Sequence, residues 1–266
     1  MTALSAPPAS WWQPHSLEIG ECRNYRIGPV DIYLQREQQQ WLVATEIHRG
    51  DDLAPLLQQT VPLIPLHLKA ERYMFNDSPA HYRLQPVLLD RPVVVKTLQP
   101  VHIPPAEHTT FFISSPVCIR LSLQQPEVLL LDIAVQRLSD TWFGPSTQAG
   151  ELCYADKTHA RHSKLELPLR PHRAITPVTI QNHSTEILTI DKISIPVPFL
   201  SVYGMPDGNL WTDAVSIQHE SLQALAHFKI EKRSAAETAG AIVLSHARKA
   251  PEKHSLIRAF ADIFSD

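Results

Sequence analysis

The sequence predicts a mainly β protein of antiparallel β-sandwich architecture, with two packed β lobes and one C-terminal amphipathic α-helix. Three observations carry that expectation: short runs of β-branched, aliphatic and aromatic residues, breaks of proline or Asn/Ser/Asp between them, and one helical stripe near the end of the chain. Proline is abundant at 23 residues and glycine scarce at 8, so proline marks most connections. Many short strands at close spacing, with no helical periods between them, favour stacked antiparallel sheets over a βαβ sheet.

The strands follow in order. Val30 to Leu34, Trp41 to Glu46, Val93 to Thr97, Thr109 to Ser114, Val117 to Leu123 and Val128 to Val135 alternate or cluster apolar residues over a strand's length. Lys164 to Leu169 alternates strictly, and the face bearing Leu165, Leu167 and Leu169 should be half-buried. Val178 to Gln181, Ile187 to Ile195, Phe199 to Tyr203, His227 to Glu231 and Ala241 to His246 continue the pattern. After Pro251, residues Leu256, Ile257, Phe260, Ile263 and Phe264 fall on one stripe of a helix. That stripe is expected to dock on the β core, with contact to a protein partner or a second copy through Leu256, Phe260 and Phe264 as the alternative. An offset of 67 residues aligns Pro104 with Pro171, Thr109 with Thr176, Ile113 with Ile180 and Leu121 with Leu188. Two related lobes, 15–125 and 126–266, would produce this.

Composition narrows the function. A chain of 266 residues buries about 75% of its unfolded surface, so it needs no disulfide staple. Three scattered cysteines, Cys22, Cys118 and Cys153, read as buried thiols. The longest aliphatic run, Val128 to Leu131, falls far short of the roughly 20 residues that cross a bilayer, so membrane insertion is not expected. Met1 to Gln13 lacks the charged start and apolar stretch of a secretory signal, so a cytoplasmic location is expected. A net charge of −3 argues against nucleic acid as a partner, and the glycine spacing argues against a glycine-loop nucleotide site. Neither a Gly-x-Ser-x-Gly elbow nor a zinc-protease helix is present, because His219-Glu220 lacks its second histidine.

Two segments could carry chemistry. Between Cys153 and Arg173, His159 and His162 could meet one zinc ion with His172 or Cys153 completing the set. Arg161, Arg170 and Arg173 in the same stretch suit a carboxylate or phosphate, since planar guanidinium groups bind such anions bidentately. The alternative is a solvated strand face whose charges deter edge-to-edge aggregation, and the pattern favours it. The second segment, Asp140 to Pro145, reads as a loop in which Asp140, Thr141 and Trp142 could bind a ligand. Its structural alternative has Asp140 bonding the turn while Trp142 and Phe143 fold back over the sandwich end.

Four stretches add a resemblance: Arg91 to Val95, Phe111 to Pro116, Leu138 to Pro145 and Ile195 to Pro198. With them the chain resembles, over nearly its whole length, an uncharacterised prokaryotic family whose defining domain has no assigned function. Its bacterial members are sometimes encoded beside small mechanosensitive channels, which implies a partner role, such as binding a membrane channel, and no catalytic residues. The expected function is therefore a non-catalytic binding or accessory module acting on a protein partner through loops and the C-terminal helix. The alternatives are an enzyme or a ligand- or metal-binding protein using residues 153–173, or a ligand sensor combining that stretch with the Asp140 loop.

Overall fold

The computed structural model describes residues 11–48, 56–144, 146, 148, 150–163, 170–220, 226–231, 240–250 and 256–257. The first strands are β1 (Pro14–Ser16), β2 (Cys22–Ile27), β3 (Val30–Glu37), β4 (Gln40–Ile47), β5 (Leu57–Val61), β6 (Glu71–Met74) and β7 (His81–Val87). Next come β8 (Val93–Ile103), β9 (His108–Pro116), β10 (Cys118–Leu123), β11 (Val128–Ala134), β12 (Ser139–Phe143), β13 (Glu151–Ala160) and β14 (Arg173–Asn182). Last are β15 (Leu188–Ile195), β16 (Val202–Gly204), β17 (Leu210–Thr212), β18 (Ala214–His219), β19 (Ala226–Glu231), β20 (Ile242–Ser245) and β21 (Leu256–Ile257).

They form four sheets. Sheet I has the order β5-β2-β3-β4-β6 and sheet II the order β1-β7-β10-β11. Sheet III runs β12-β13-β8-β15, and sheet IV runs β20-β16-β17-β14-β18-β19-β21 with β9 also beside β14. Most pairs are antiparallel, as the sequence predicts, but β13 lies parallel to β8, and β14 lies parallel to both β17 and β18.

Local chemistry explains the hairpins. Ile27 pairs with Val30, leaving Gly28-Pro29 as a two-residue turn. Gly28 takes φ +59°, which the first central position of a primed hairpin turn requires and an L side chain resists. A Cβ there would also lie 2.2 Å from the His172 ring. Sheets I and II meet through aromatic rings: Trp41 stands edge-on to Tyr82 with centroids 5.4 Å apart, and the Tyr25 and Tyr82 hydroxyls lie 2.6 Å from one another. The end of β13 reaches β9 by reciprocal backbone bonds, Phe112 N–H to Arg161 at 2.7 Å and Arg161 N–H to Phe112 at 3.3 Å. One hydrophobic core draws on all four sheets, with Trp41, Tyr82, Val95 and Ile180 each 0% exposed. Beyond β20, Arg248 crosses to sheet II, donating to the Leu88 carbonyl at 2.5 Å and to Asp132 at 2.9 Å.

Several expectations change. Leu256–Ile257 form a strand against Ala226–His227, not the start of a helix. The open edge of β19 offers a ladder of backbone hydrogen bonds, and a β-branched isoleucine suits that ladder. Phe260, Ile263 and Phe264 lie outside the described residues, as does the alternating stretch Lys164 to Leu169. Among the described residues the one helical element is a 3-10 turn at Val197–Phe199, where two nearby prolines delay the strand expected from Phe199 until Val202. No helix of the described residues is long and apolar enough to cross a membrane. The expected lobe boundary near residue 125 falls in the turn joining β10 to β11 within sheet II. The segments aligned by the 67-residue offset, β9 and β14, are antiparallel neighbours in sheet IV, with Ile113 opposite Thr176.

Candidate ligand-binding site

Sheet III turns one face to the core and the other outward. Along β8, Val93 and Val95 point inward at 0% exposure, which by period-two alternation sends Val94 and Lys96 to the outer face. Lys192 of β15 is opposite Lys96, and His159 of β13 is the parallel partner of Lys96 on the other side. Three basic side chains therefore stand in one row across three strands, spanning about 10 Å at the usual strand spacing. The pairing of β13 with β8 is irregular between Ala155 and His159. Within that irregularity the Asp156 side chain is buried, while Lys157 is exposed.

These groups line an outward-facing pocket of about 580 Å³ together with Thr141, Trp142 and Phe143 of β12 and Val94 of β8. The floor is apolar: Phe143, Cys153 and Val94 pack together at 2%, 0% and 8% exposure. At the open edge of the sheet the Trp142 indole is 48% exposed, and its Nε1–H donates to the Ser146 carbonyl at 2.8 Å. Gly150 comes so close to that ring that a Cβ would lie 2.3 Å from Nε1. The indole is thus held in place by backbone while much of its surface faces solvent. Among the described residues, the side chains of Lys96, Lys157, Lys192 and His159 form no ion pair or hydrogen bond. Among the described residues Asp156 is the one acid lining the pocket, and its carboxylate is taken by the Arg173 guanidinium.

The candidates named from sequence divide sharply. Thr141, Trp142 and His159 come together in this pocket. They do so on strands, because Ser139–Phe143 is the edge strand β12 and not a loop. Asp140 projects elsewhere and pairs with Arg91 at 3.1 Å. Arg173 is buried with its Nε donating to the Ser114 hydroxyl at 3.1 Å and Nη1 to Gln136 at 2.9 Å, so its charge serves the interior. Arg161 contributes its main chain to the bridge with Phe112, and the Arg170 carbonyl accepts the Arg173 N–H at 3.2 Å.

The zinc set does not assemble. His159 lies in β13, whereas His162 sits in a bend beyond the end of that strand. His162 instead stacks on Phe111 at 4.5 Å. His172 is fully buried against Gly28, and Cys153 is enclosed beneath the pocket floor, where burial first and the Glu151 charge second push its thiol up to about 12. Among the described residues, the metal-type grouping is elsewhere: Asp31, Glu46 and His48. The guanidinium of Arg26 already holds both Asp31 oxygens, at 3.0 and 2.6 Å, so a cation would have to displace it.

The residues that sequence reasoning missed are Lys96, Lys157 and Lys192. Two of them adjoin apolar runs, in Val93-Val94-Val95-Lys96 and Lys192-Ile193-Ser194-Ile195. Each reads alone as a solvent-facing residue, and only register makes them neighbours. No curated protein and no solved structure matches this chain. Residues 11–265 match the family described as Protein of unknown function (DUF432), and the chain belongs to that family.

Proposed function

We propose that the protein is a binding module that takes a small anionic ligand in the pocket on the outer face of sheet III. One observation carries this reading: Lys96 and Lys192 stand directly opposite one another in antiparallel register, with His159 beside them. Like charges at directly opposed positions destabilise a sheet. No acid among the described residues relieves them, so the arrangement costs stability unless an anion completes it. The apolar floor supplies contact area of the kind small-molecule pockets offer, and the volume falls within the usual range of about 300–1,000 Å³.

The test is calorimetric titration with pyrophosphate at low ionic strength. Binding should be measurable for the parent protein, should weaken at least tenfold in the Lys96→Gln/Lys192→Gln variant, and should fall steeply with added salt. Equal binding by parent and variant, or none by either, would overturn the reading.

A further inference from the structure

The pocket on sheet III is cationic at one end and apolar at the other, and strand register gives the order. Ser139, Ala155 and Val94 share one level across β12, β13 and β8. From that level Lys96 lies two residues on, about 7 Å along the strand, with Lys192 and His159 beside it. Because β12 runs antiparallel to β13, Thr141 and Phe143 lie two and four residues the other way, about 7 and 13 Å, and period-two alternation keeps both on the face of Ser139. Thr141 is opposite Cys153, so the groove runs from the basic row over Val94 to the packing of Cys153 and Phe143. Glu151 is opposite Phe143, and its charge disfavours a negative group at that end. A bare inorganic anion would use only the basic row and leave the apolar stretch without a role.

From this polarity we infer that the ligand is a soluble amphiphile, its phosphate or carboxylate head on the Lys96, Lys192 and His159 row and its hydrocarbon tail running toward Phe143. The inference rests on the anion-binding reading above and adds the class of ligand. A few polar groups that fix orientation beside a larger apolar wall are the usual division of labour in a small-molecule pocket. Here the division follows the strand direction, which calls for a molecule whose charge and hydrocarbon are likewise at opposite ends. The apolar wall is recessed, with Val94 at 8% and Phe143 at 2% exposure, so the tail must come to the floor. A free molecule can do that within a pocket of about 580 Å³, whereas a lipid held in a bilayer would have to leave it.

Calorimetric titration of the full chain with methyl, butyl, hexyl and octyl phosphate in low-salt buffer tests this, with pyrophosphate alongside and octanol as the neutral control. Affinity should rise about two- to fourfold per added methylene from butyl to octyl, and octanol should bind about tenfold or more weakly than octyl phosphate for want of a charged head. Thr141→Gln fills the groove from the edge strand and should flatten the rise while leaving pyrophosphate affinity within about twofold; that retained affinity also shows the variant is folded. Lys96→Gln/Lys192→Gln should weaken every alkyl phosphate and leave the rise intact. If octyl phosphate binds no more tightly than methyl phosphate, if octanol matches it, or if the rise survives Thr141→Gln, the amphiphile assignment fails while pyrophosphate binding still supports the anion site. If neither pyrophosphate nor any alkyl phosphate binds, both fail together. Sedimentation of the parent, but not of Lys96→Gln/Lys192→Gln, with vesicles of phosphatidylcholine and phosphatidic acid would assign the head to a membrane lipid and overturn the soluble ligand.

Discussion

Asp156 and His159 are separated by two residues on the same strand, yet their surroundings differ in kind. Asp156 and Arg173 are each 2% exposed at the side chain and satisfy one another, with Ser114, Gln136 and Thr158 taking the remaining guanidinium hydrogens. His159, Lys96 and Lys192 face outward side by side with no counter-charge among the described residues. Interior charges are tolerated only when fully paired, because each ion loses several kcal/mol of hydration on burial. Surface charges can remain unpaired, and opposing like charges on a sheet carries only a small penalty. Charge that is matched serves the fold, and charge that is left unmatched on a shaped surface is available to a ligand.

The comparison can be broken first at its buried half. Arg173→Ala leaves Asp156 charged and without its guanidinium, and should cost about 3–5 kcal/mol in denaturant unfolding. Replacing the pair together, as Asp156→Leu/Arg173→Met, should recover much of that loss. A single variant as stable as the parent would mean the pair is not structural.

Asp31 gives the next largest effect. Burial alone would raise its carboxyl, but hydrogen bonds from Arg26, His48 and Asn24 outweigh burial and hold it below the ordinary 3.8. A carboxyl depressed in the folded state contributes stability that is complete above its unfolded value and is lost as pH falls through the folded one. Asp31→Asn should therefore cost about 1.5–3 kcal/mol at neutral pH. The difference from the parent should shrink through the acid range below 3.8. A difference that is constant with pH would count against the ion pair.

The smallest effect is the most discriminating. Lys96→Gln/Lys192→Gln should raise stability by about 0.2–1 kcal/mol at low salt, because opposed like charges are removed. The gain should vanish near 1 M salt, where the screening length is only about 3 Å. The same variant is the one expected to lose pyrophosphate, so stability and binding move in opposite directions. A variant that is both less stable and unchanged in binding would show that the row serves folding.

Much of the fold was legible because period-two alternation is a property of neighbouring residues. Val93 to Thr97 and Thr109 to Ser114 lie within strands, and Ile187 to Ile195 exceeds its strand by one residue, β15 beginning at Leu188. The Gly28-Pro29 turn was also readable in principle, being a two-residue loop with glycine first. What local pattern cannot supply is register. Lys96 and Lys192 are far apart in sequence and meet only because β8 and β15 pair with that alignment. The dense basic stretch misled for the complementary reason: Arg173 reads as a free cation until Asp156 is placed beside it. The terminal stripe that fits a helix fits equally well as an apolar pair on a sheet edge, and an available edge decides between them at Leu256–Ile257.

The flanks of β14 bear on how the chain acquires its shape. One side of that strand is closed by residues 108–116 and the other by residues 210–219. During synthesis, β14 must wait with one flank bare until residues some thirty positions downstream have emerged. Such non-local closure is slow relative to hairpin formation and exposes unpaired strand to neighbouring chains meanwhile. Nascent copies of this protein should therefore be most vulnerable to association in the interval after residue 182 and before residue 219 leaves the ribosome.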